Sequence, residues 1–299
     1  MTDSTHQSLL LTIFTPTYNR AHLLPRLFDS IAGQVPVGSP VEWLVIDDGS
    51  TDDTQAVLAG LANQRPDLVR LLVVSNGGKH RAINLAALRA RGDWLMTVDS
   101  DDLVVEGAVS NVVTQIAAIR SEPSVGLIRA LRRFPGNDQA PTKFRIPSNP
   151  CYQWQWLARQ HGFDSTDVIP RAILTKYPFP DHPGERFMAE GWLWSSLDKH
   201  YLTLFVDRPW VECHYQSDGL SARSQRIRAE SPLSAMDVYA AMLATPLPRK
   251  LRARAAINWW RYRAHAWRRN KKPRIGARPS LLFAPFGWWL SWRDENTSP

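Results

Sequence analysis

Short runs of apolar residues recur through the first hundred positions, and each is followed by a stretch with helical spacing. The runs are residues 9–14, 41–46, 69–74 and 94–98. They lack the apolar–polar alternation of a half-exposed strand, so they read as strands buried on both faces of a parallel sheet. The intervening segments carry single apolar stripes: Leu23, Leu24, Leu27, Phe28 and Ile31 in 22–34; Val57, Leu58 and Leu61 in 54–64; Ile83, Ala86, Ala87 and Leu88 in 81–90; and Val109, Val112, Val113, Ile116 and Ile119 in 106–120. Strand–helix repetition of this kind predicts an α/β fold with a doubly wound, mostly parallel sheet. Ligands of such sheets bind beyond the carboxyl ends of the strands.

Every predicted strand ends in polar residues. The first is followed by Thr15-Pro16-Thr17-Tyr18-Asn19-Arg20, the second by Asp47-Asp48-Gly49-Ser50, the third by Ser75-Asn76-Gly77-Gly78-Lys79-His80 and the fourth by Asp99-Ser100-Asp101-Asp102. Neither GxGxxG nor GxxxxGK[ST] is present, so a dinucleotide fold and a P-loop are unsupported. On an extended segment Asp99 and Asp101 point the same way. Two carboxylates facing one point repel unless a hard divalent cation lies between them, and such a cation also binds substrate phosphates. The same residues are ordinary helix N-cap sequence, and that alternative stays open. Asp48 fits either a turn or an acceptor of hydrogen bonds from a pyrimidine or ribose. Gly77-Gly78 permits close backbone approach, and Lys79 then opens a helix where phosphate is favoured, although a solvated turn has the same composition.

Taken together, the stretches TIFTPTYNR, EWLVIDDGSTDDT, NGGKHRAINLA and GDWLMTVDSDD resemble family 2 glycosyltransferases of the GT-A fold, a Rossmann-like sheet flanked by helices. They cover roughly residues 9–104, in the expected order and spacing. A weaker match, to a bacterial subgroup, continues through TDVIPRAILTKYPFPDHPGERFMAEGWLW and YQSDGLS and fades after about residue 230. The resemblance implies a GT-A domain over 1–230, with a nucleotide-sugar half at 1–104 and an acceptor half at 105–230. It implies sugar transfer from a nucleotide-diphosphate donor, most commonly a UDP-sugar, with Mn²⁺ or Mg²⁺. On the matching positions, Pro16, Thr17 and Tyr18 line the nucleoside, Asp48 binds the base, Lys79 and Asn84 lie near the nucleotide, Asp99 faces ribose or metal, and Asp101 holds the metal. The acceptor's base falls at Glu190, although Ala189-Glu190 replaces the family's commoner Glu-Asp pair. His214 falls where some GT-A enzymes place a further metal ligand.

The chemistry agrees with that assignment. Inverting displacement needs one base opposite the leaving group, and a metal stabilises the departing diphosphate without a general acid. Glu185 is the competing carboxylate, and a helix-start position facing Arg186 is the plain structural reading of Glu190. Trp192 and Trp194 fit either acceptor stacking or core packing. Two rival classes remain: a non-catalytic sugar-nucleotide-binding protein and a nucleotidyltransferase.

The net charge of +8 is uneven. Between positions 238 and 293 lie 13 Lys and Arg and no Asp or Glu, leaving the rest at −5, and six of the 13 Trp lie in this tail. Residues 249–269 read as a helix after Pro246-Leu247-Pro248, followed by a basic linker and the apolar run 281–290. That run is too short to span a bilayer and suits an interfacial position, with basic neighbours attracted to an anionic leaflet. The expectation is a cytoplasmic enzyme, peripheral on the inner membrane face, acting on a carbohydrate or lipid-linked acceptor in bacterial polysaccharide or glycolipid synthesis. Packing of the tail on the catalytic domain competes with this. Stacking of the aromatics on single-stranded nucleic acid is set aside, because nothing else resembles an RNA module.

Overall fold

The computed structural model describes residues 10–135, 146–157, 165–214, 216, 224–273 and 279–297. In chain order the elements are β1 (Leu11–Thr17), α1 (Leu24–Ala32), β2 (Val41–Asp47), α2 (Thr54–Gln64), β3 (Val69–Val73), α3 (Lys79–Arg89), β4 (Trp94–Thr97), β5 (Leu103–Val104), α4 (Ala108–Ile119), β6 (Val125–Arg133), α5 (Gln153–Leu157), β7 (Ser165–Pro170), α6 (Arg171–Lys176), α7 (Gly191–Leu197), β8 (Leu202–Glu212), α8 (Ser224–Glu230), α9 (Pro232–Leu243), α10 (Arg249–Arg268), a 3₁₀ turn (Leu281–Phe283) and α11 (Ala284–Thr297).

The strands form one eight-stranded sheet in the order β3-β2-β1-β4-β7-β6-β8-β5. β1, β2, β3 and β4 pair in parallel, as the sequence predicts. Beyond β4 the sheet is mixed: β7 runs antiparallel to both β4 and β6, and β5 antiparallel to β8. The chain winds outward from β1 through β2 to β3, then returns to β4 on the other side of β1. This reversal of strand order opens a crevice at the carboxyl ends of β1 and β4.

Successive residues of the inner strands face opposite layers. Ile13, Trp43 and Val45 join α1, α2 and α4 through Leu27, Ile31, Leu58 and Val112. Phe14, Leu44 and Ile46 join α3, α6 and α7 through Ile83, Leu174 and Leu193. Two buried faces explain why these strands carry apolar residues on both sides rather than in alternation.

The tail divides in two. Residues Trp259, Tyr262 and Ala266 of α10 are buried with Ala235 and Met236 of α9, and the Tyr239 and Tyr262 rings stack at 5.8 Å. α11 crosses α10 at Gly287, where a methyl would lie 2.7 Å from the Arg261 nitrogen and Ile257 oxygen. Asp294 joins Arg261 and His265, the latter at 3.0 Å. The outward side of the 3₁₀ turn and α11 exposes Leu281, Leu282, Phe286, Trp289 and Trp292. No helix among the described residues is long and apolar enough to cross a membrane.

Candidate active site

A cavity of about 1060 Å³ occupies the crevice. Pro16 and Thr17 at the end of β1, Tyr18 beyond it, Asp48 after β2, Gly78 and Lys79 at the start of α3, and Asp99, Ser100 and Asp101 after β4 form one wall. Residues 186–191, Trp194 of α7 and parts of α8, α9 and α10 form the other.

Local hydrogen bonds set the first wall. Asn19, at φ 52°, accepts from the Thr51 amide (2.8 Å), while its own amide donates to Ser50 Oγ (2.8 Å), so the β1 and β2 loops are tied together. The Asp48 carboxylate accepts from the Gly77 amide (2.7 Å) and the Gly78 amide (2.8 Å). The position expected to contact a base therefore holds the Gly77-Gly78 turn. Gly78 sits at φ 96°, pressed against the Arg186 backbone. A Cβ there would overlap the Arg186 carbonyl oxygen and lie 2.8 Å from its carbon.

Lys79 joins the two walls. Its Nζ lies 2.5 Å from Asp99 Oδ1 and 2.7 Å from Glu190 Oε1. Burial opposes the ammonium charge, but the attraction of Asp99 and Glu190 outweighs it and raises its pKa above the ordinary lysine value. Burial also works against the Asp99 carboxylate; Lys79 and Arg132 outweigh it and hold the pKa below the usual carboxylate range. Asp101 is pushed up, first by burial and then by the Asp99 charge. Asp102 is pushed up to about 7 by the same two causes.

Such crowding of acids fits a divalent cation. Among the described residues no group of three or more His, Cys, Asp or Glu is arranged around a metal position. A Mg²⁺-like ion does not require one, because it binds through one or two carboxylates plus water and substrate phosphate. Asp99 and Asp101 are carboxylates of the kind such an ion uses, both lining the cavity after β4. The helix-cap alternative does not apply: Asp99–Asp102 lead into β5, and the next helix, α4, is capped by Gly107.

Pro16, Thr17, Tyr18, Asp48, Lys79, Asp99, Asp101 and Glu190 thus converge on one cavity. Glu190 occupies the N-cap position of α7 but makes no side-chain capping bond, so its carboxylate faces the cavity. Asn84 and His214 stand apart. The Asn84 amide donates to the Phe179 carbonyl (2.9 Å) and accepts from its N–H (2.8 Å), so it braces the segment after α6. The His214 ring pairs with Glu212 at 2.9 Å, and its amide donates to Asp102. Neither lines the cavity. Glu185, the competing base, is buried and accepts from the Leu233 and Ser234 amides and from Lys271 at 2.9 Å, which fixes it as a structural brace for α9. Trp192 packs on Phe179 at 5.5 Å. Trp194 lines the cavity with its indole N–H on Asp167 (2.6 Å). Asp167 in turn accepts two bonds from buried Arg129, whose guanidinium lies 4.4 Å from the Trp194 ring centroid. In the YQSDGLS stretch, Tyr215 and residues 217–221 lie outside the described residues, as do 274–278 of the basic linker.

Sequence reasoning missed Arg186, Arg228 and Arg254 as cavity residues. They come from a loop, α8 and α10, and no motif marks them.

Sheet order, strand-end acids and a helical second wall define a scaffold of the GT-A type. The family model described as "Glycosyl transferase family 2" matches residues 12–171, and the chain belongs to that family. An uncharacterized glycosyltransferase of Nostoc sp. is 28% identical over 129 residues, covering 43% of this chain and 38% of the relative. The undecaprenyl-phosphate 4-deoxy-4-formamido-L-arabinose transferase of Shewanella sediminis is 32% identical over 134 residues, 42% and 40% of the two chains. The match thus spans about two fifths of these relatives' length. Among solved structures, TarS 1–349 of S. aureus superposes with TM-score 0.62 at 16% identity, over 95% of this chain and 79% of that one. The mannosyltransferase PcManGT of Pyrobaculum calidifontis, in complex with GDP-Man and Mn²⁺, gives TM-score 0.58 at 20% identity, over 97% and 76%. These likenesses show the GT-A fold.

Proposed function

We propose that the protein is an inverting glycosyltransferase that moves a sugar from a nucleotide-diphosphate donor, with a UDP-sugar as first choice, to a hydroxyl acceptor. The observation that carries this reading is the bridging of Asp99 and Glu190, from opposite walls, by the Lys79 ammonium at 2.5 and 2.7 Å. Donor-side acid and acceptor-side base therefore share one point.

In this reading Pro16, Thr17 and Tyr18 form the nucleoside wall, with Asp48 fixing the adjoining turn. Asp101, with Asp99, would hold Mn²⁺ or Mg²⁺. The ion, when bound, neutralises charge on the departing diphosphate. A donor diphosphate also offers Lys79 a new partner, which releases Glu190 to accept the acceptor hydroxyl's proton. Trp194, locked by Asp167, presents an aromatic surface to a sugar ring. Asn84 and His214 are given no contact with substrate. A bacterial polysaccharide or glycolipid acceptor fits the family relatives. The exposed aromatic face of α11, beside the basic tail, fits attachment to the cytoplasmic membrane surface.

The test is incubation with a panel of UDP- and GDP-sugars and Mn²⁺, measuring free nucleoside diphosphate. Turnover with one donor, lowered by about 10²–10⁴-fold in Glu190→Gln, is expected. Donor binding without turnover in any condition indicates a non-catalytic binding protein, and release of pyrophosphate indicates a nucleotidyltransferase.

A further inference from the structure

The second wall of the cavity is chemically unlike the first. It carries Arg186 from the loop before α7, Arg228 from α8 and Arg254 from α10. Its single carboxylate is Glu190, which is already paired with Lys79. None of the three arginines has a carboxylate partner among the described residues. Arg228 is half-buried, its guanidinium 5.9 Å from the Phe187 ring centroid, and Phe187 also lines the cavity. Around these cations the wall is largely apolar, with Val238, Met242, Leu251 and Ala255 beside Tyr239 and Gln216.

Three arginines from three elements line one cavity, Arg186 and Arg254 exposed and Arg228 half-buried, with no carboxylate partner among the described residues; such a wall attracts an anion. A guanidinium presents a planar fork of donors that matches phosphate oxygens. A carboxylate satisfies one such fork, whereas a phosphate has oxygens enough for several. The donor diphosphate has its own partners on the opposite wall, at Lys79 and the Asp99–Asp101 cation site. In the glycosyltransferase reading the helical wall is thus available to a second anion.

We propose that this wall is the acceptor subsite, and that the acceptor is a hydroxyl compound carrying a phosphate group held by Arg186, Arg228 and Arg254. The proposal rests on the glycosyltransferase reading above and specifies its second substrate. The phosphate belongs either to a soluble polyol or sugar phosphate or to a lipid-linked phosphate. In the second case the alkyl chain lies along Met242 and Leu251. The phosphate anchors the acceptor while its hydroxyl reaches Glu190.

The experiment uses the full chain saturated with Mg²⁺ and whichever of UDP or GDP it binds, so that the donor wall is filled. Glycerol phosphate, dodecyl phosphate and neutral glycerol are then titrated by calorimetry. Binding of both phosphates but not glycerol is expected, with affinity at least tenfold weaker in Arg228→Gln/Arg254→Gln. In the same variant, nucleotide affinity is expected within twofold of the parent. Arg226→Gln, which removes an exposed pair with Glu230 on α8, controls for general charge loss. A more than tenfold preference for dodecyl phosphate assigns the lipid-linked source, and comparable affinities assign the soluble one. Undiminished phosphate affinity in the double variant overturns the proposal, as does absence of phosphate binding to the nucleotide-loaded parent. A parallel loss of nucleotide affinity overturns it too, by assigning the arginines to the donor. Release of nucleoside diphosphate with water as acceptor is measured separately. Its absence counts against the glycosyltransferase reading whatever the phosphate result.

Discussion

Gly78→Ala adds one methyl group where the two walls of the cavity touch. The backbone at Gly78 has φ 96° and ψ 156°, an essentially glycine-only region that costs another residue about 1–3 kcal/mol. The new Cβ would also meet the Arg186 backbone, 2.8 Å from the carbonyl carbon and closer still to its oxygen. Carbon atoms pack best at about 3.5–4.0 Å, so the Arg186 peptide must retreat by on the order of 1 Å. Arg186 is four residues from Glu190, on a segment pressed between the Gly77-Gly78 turn and α9. A shift of that size at a reacting group costs roughly a hundredfold in rate, equivalent to about 2.7 kcal/mol of barrier.

The control is Gly107→Ala. Gly107 has φ 75°, yet an added Cβ would meet nothing within 4 Å. Both variants place an L-residue at positive φ, Gly107 in the milder left-handed helical region (ψ 1°) and Gly78 in the extended one (ψ 156°), and only Gly78→Ala moves the Glu190 loop. Thermal melting should fall in both, and further in Gly78→Ala, where the overlap with Arg186 adds to the strain. Steady-state transfer should fall about a hundredfold in Gly78→Ala and less than threefold in Gly107→Ala. Equal activities in the two variants, measured well below both melting temperatures, would refute the claim that the Gly78–Arg186 contact positions the base.

Asp167→Ala strips buried Arg129 of its carboxylate and the Trp194 indole of its acceptor; a loss of about 3–5 kcal/mol is expected by denaturant unfolding, and a loss under 1 kcal/mol would contradict the burial argument. His80 is buried with neither ring nitrogen hydrogen-bonded, and burial, then Arg81, lowers its pKa to about 4. The unfolded chain therefore binds the extra proton first, and stability falls as pH drops from about 6.5 to 4, by at most about 1.4 kcal/mol per unit. His80→Leu should flatten that slope in melting curves, and parallel slopes for parent and variant would exclude the assignment. Mn²⁺ at a hundred times its Kd should stabilise the protein by about 2.7 kcal/mol, reversibly with chelator and much less in Asp101→Asn; an identical shift in Asp101→Asn would place the ion elsewhere. Phe286→Ser/Trp289→Ser should reduce co-sedimentation with anionic vesicles at least several-fold, and unchanged sedimentation would argue against the aromatic face as the anchor.

The sequence discloses most where one local rule decides the outcome. β1, β2 and β4 are legible because they lie inside the sheet with both faces covered, which favours apolar residues at successive positions, and edge strand β3 because its run of Leu and Val packs beside them. Their loops are legible because a parallel sheet collects its ligand residues at one end. The direction of β7 is not legible: its segment, Ser165–Pro170, mixes polar and apolar residues, and only the completed sheet sets its neighbours. Nor can spacing separate Glu185 from Glu190. The difference arises because the amides opening α9, 48 and 49 residues further on, close over Glu185 and leave Glu190 facing the cavity.

The tail shows why a count of charges fixes less than their placement. Its excess of 13 basic residues reads in sequence as one positive surface. In the fold, Arg261 is buried against Asp294, Arg268 reaches Glu295, and Lys271 caps the buried Glu185. Those cations are neutralised locally and hold α9, α10 and α11 together. Arg254 instead lines the cavity, where its charge is offered to a substrate. The aromatic residues divide in the same way, with Trp259 and Tyr262 closing the core behind the cavity and Phe286, Trp289 and Trp292 facing out. One stretch of chain therefore completes the second wall of the site on its inner side and offers an apolar face on its outer side. α10 rises about 1.5 Å per residue, so Arg254 and the exposed Trp267 stand roughly 20 Å apart along one rigid helix. An acceptor held at Arg254 would thus lie at a fixed distance from whatever surface the aromatic face contacts.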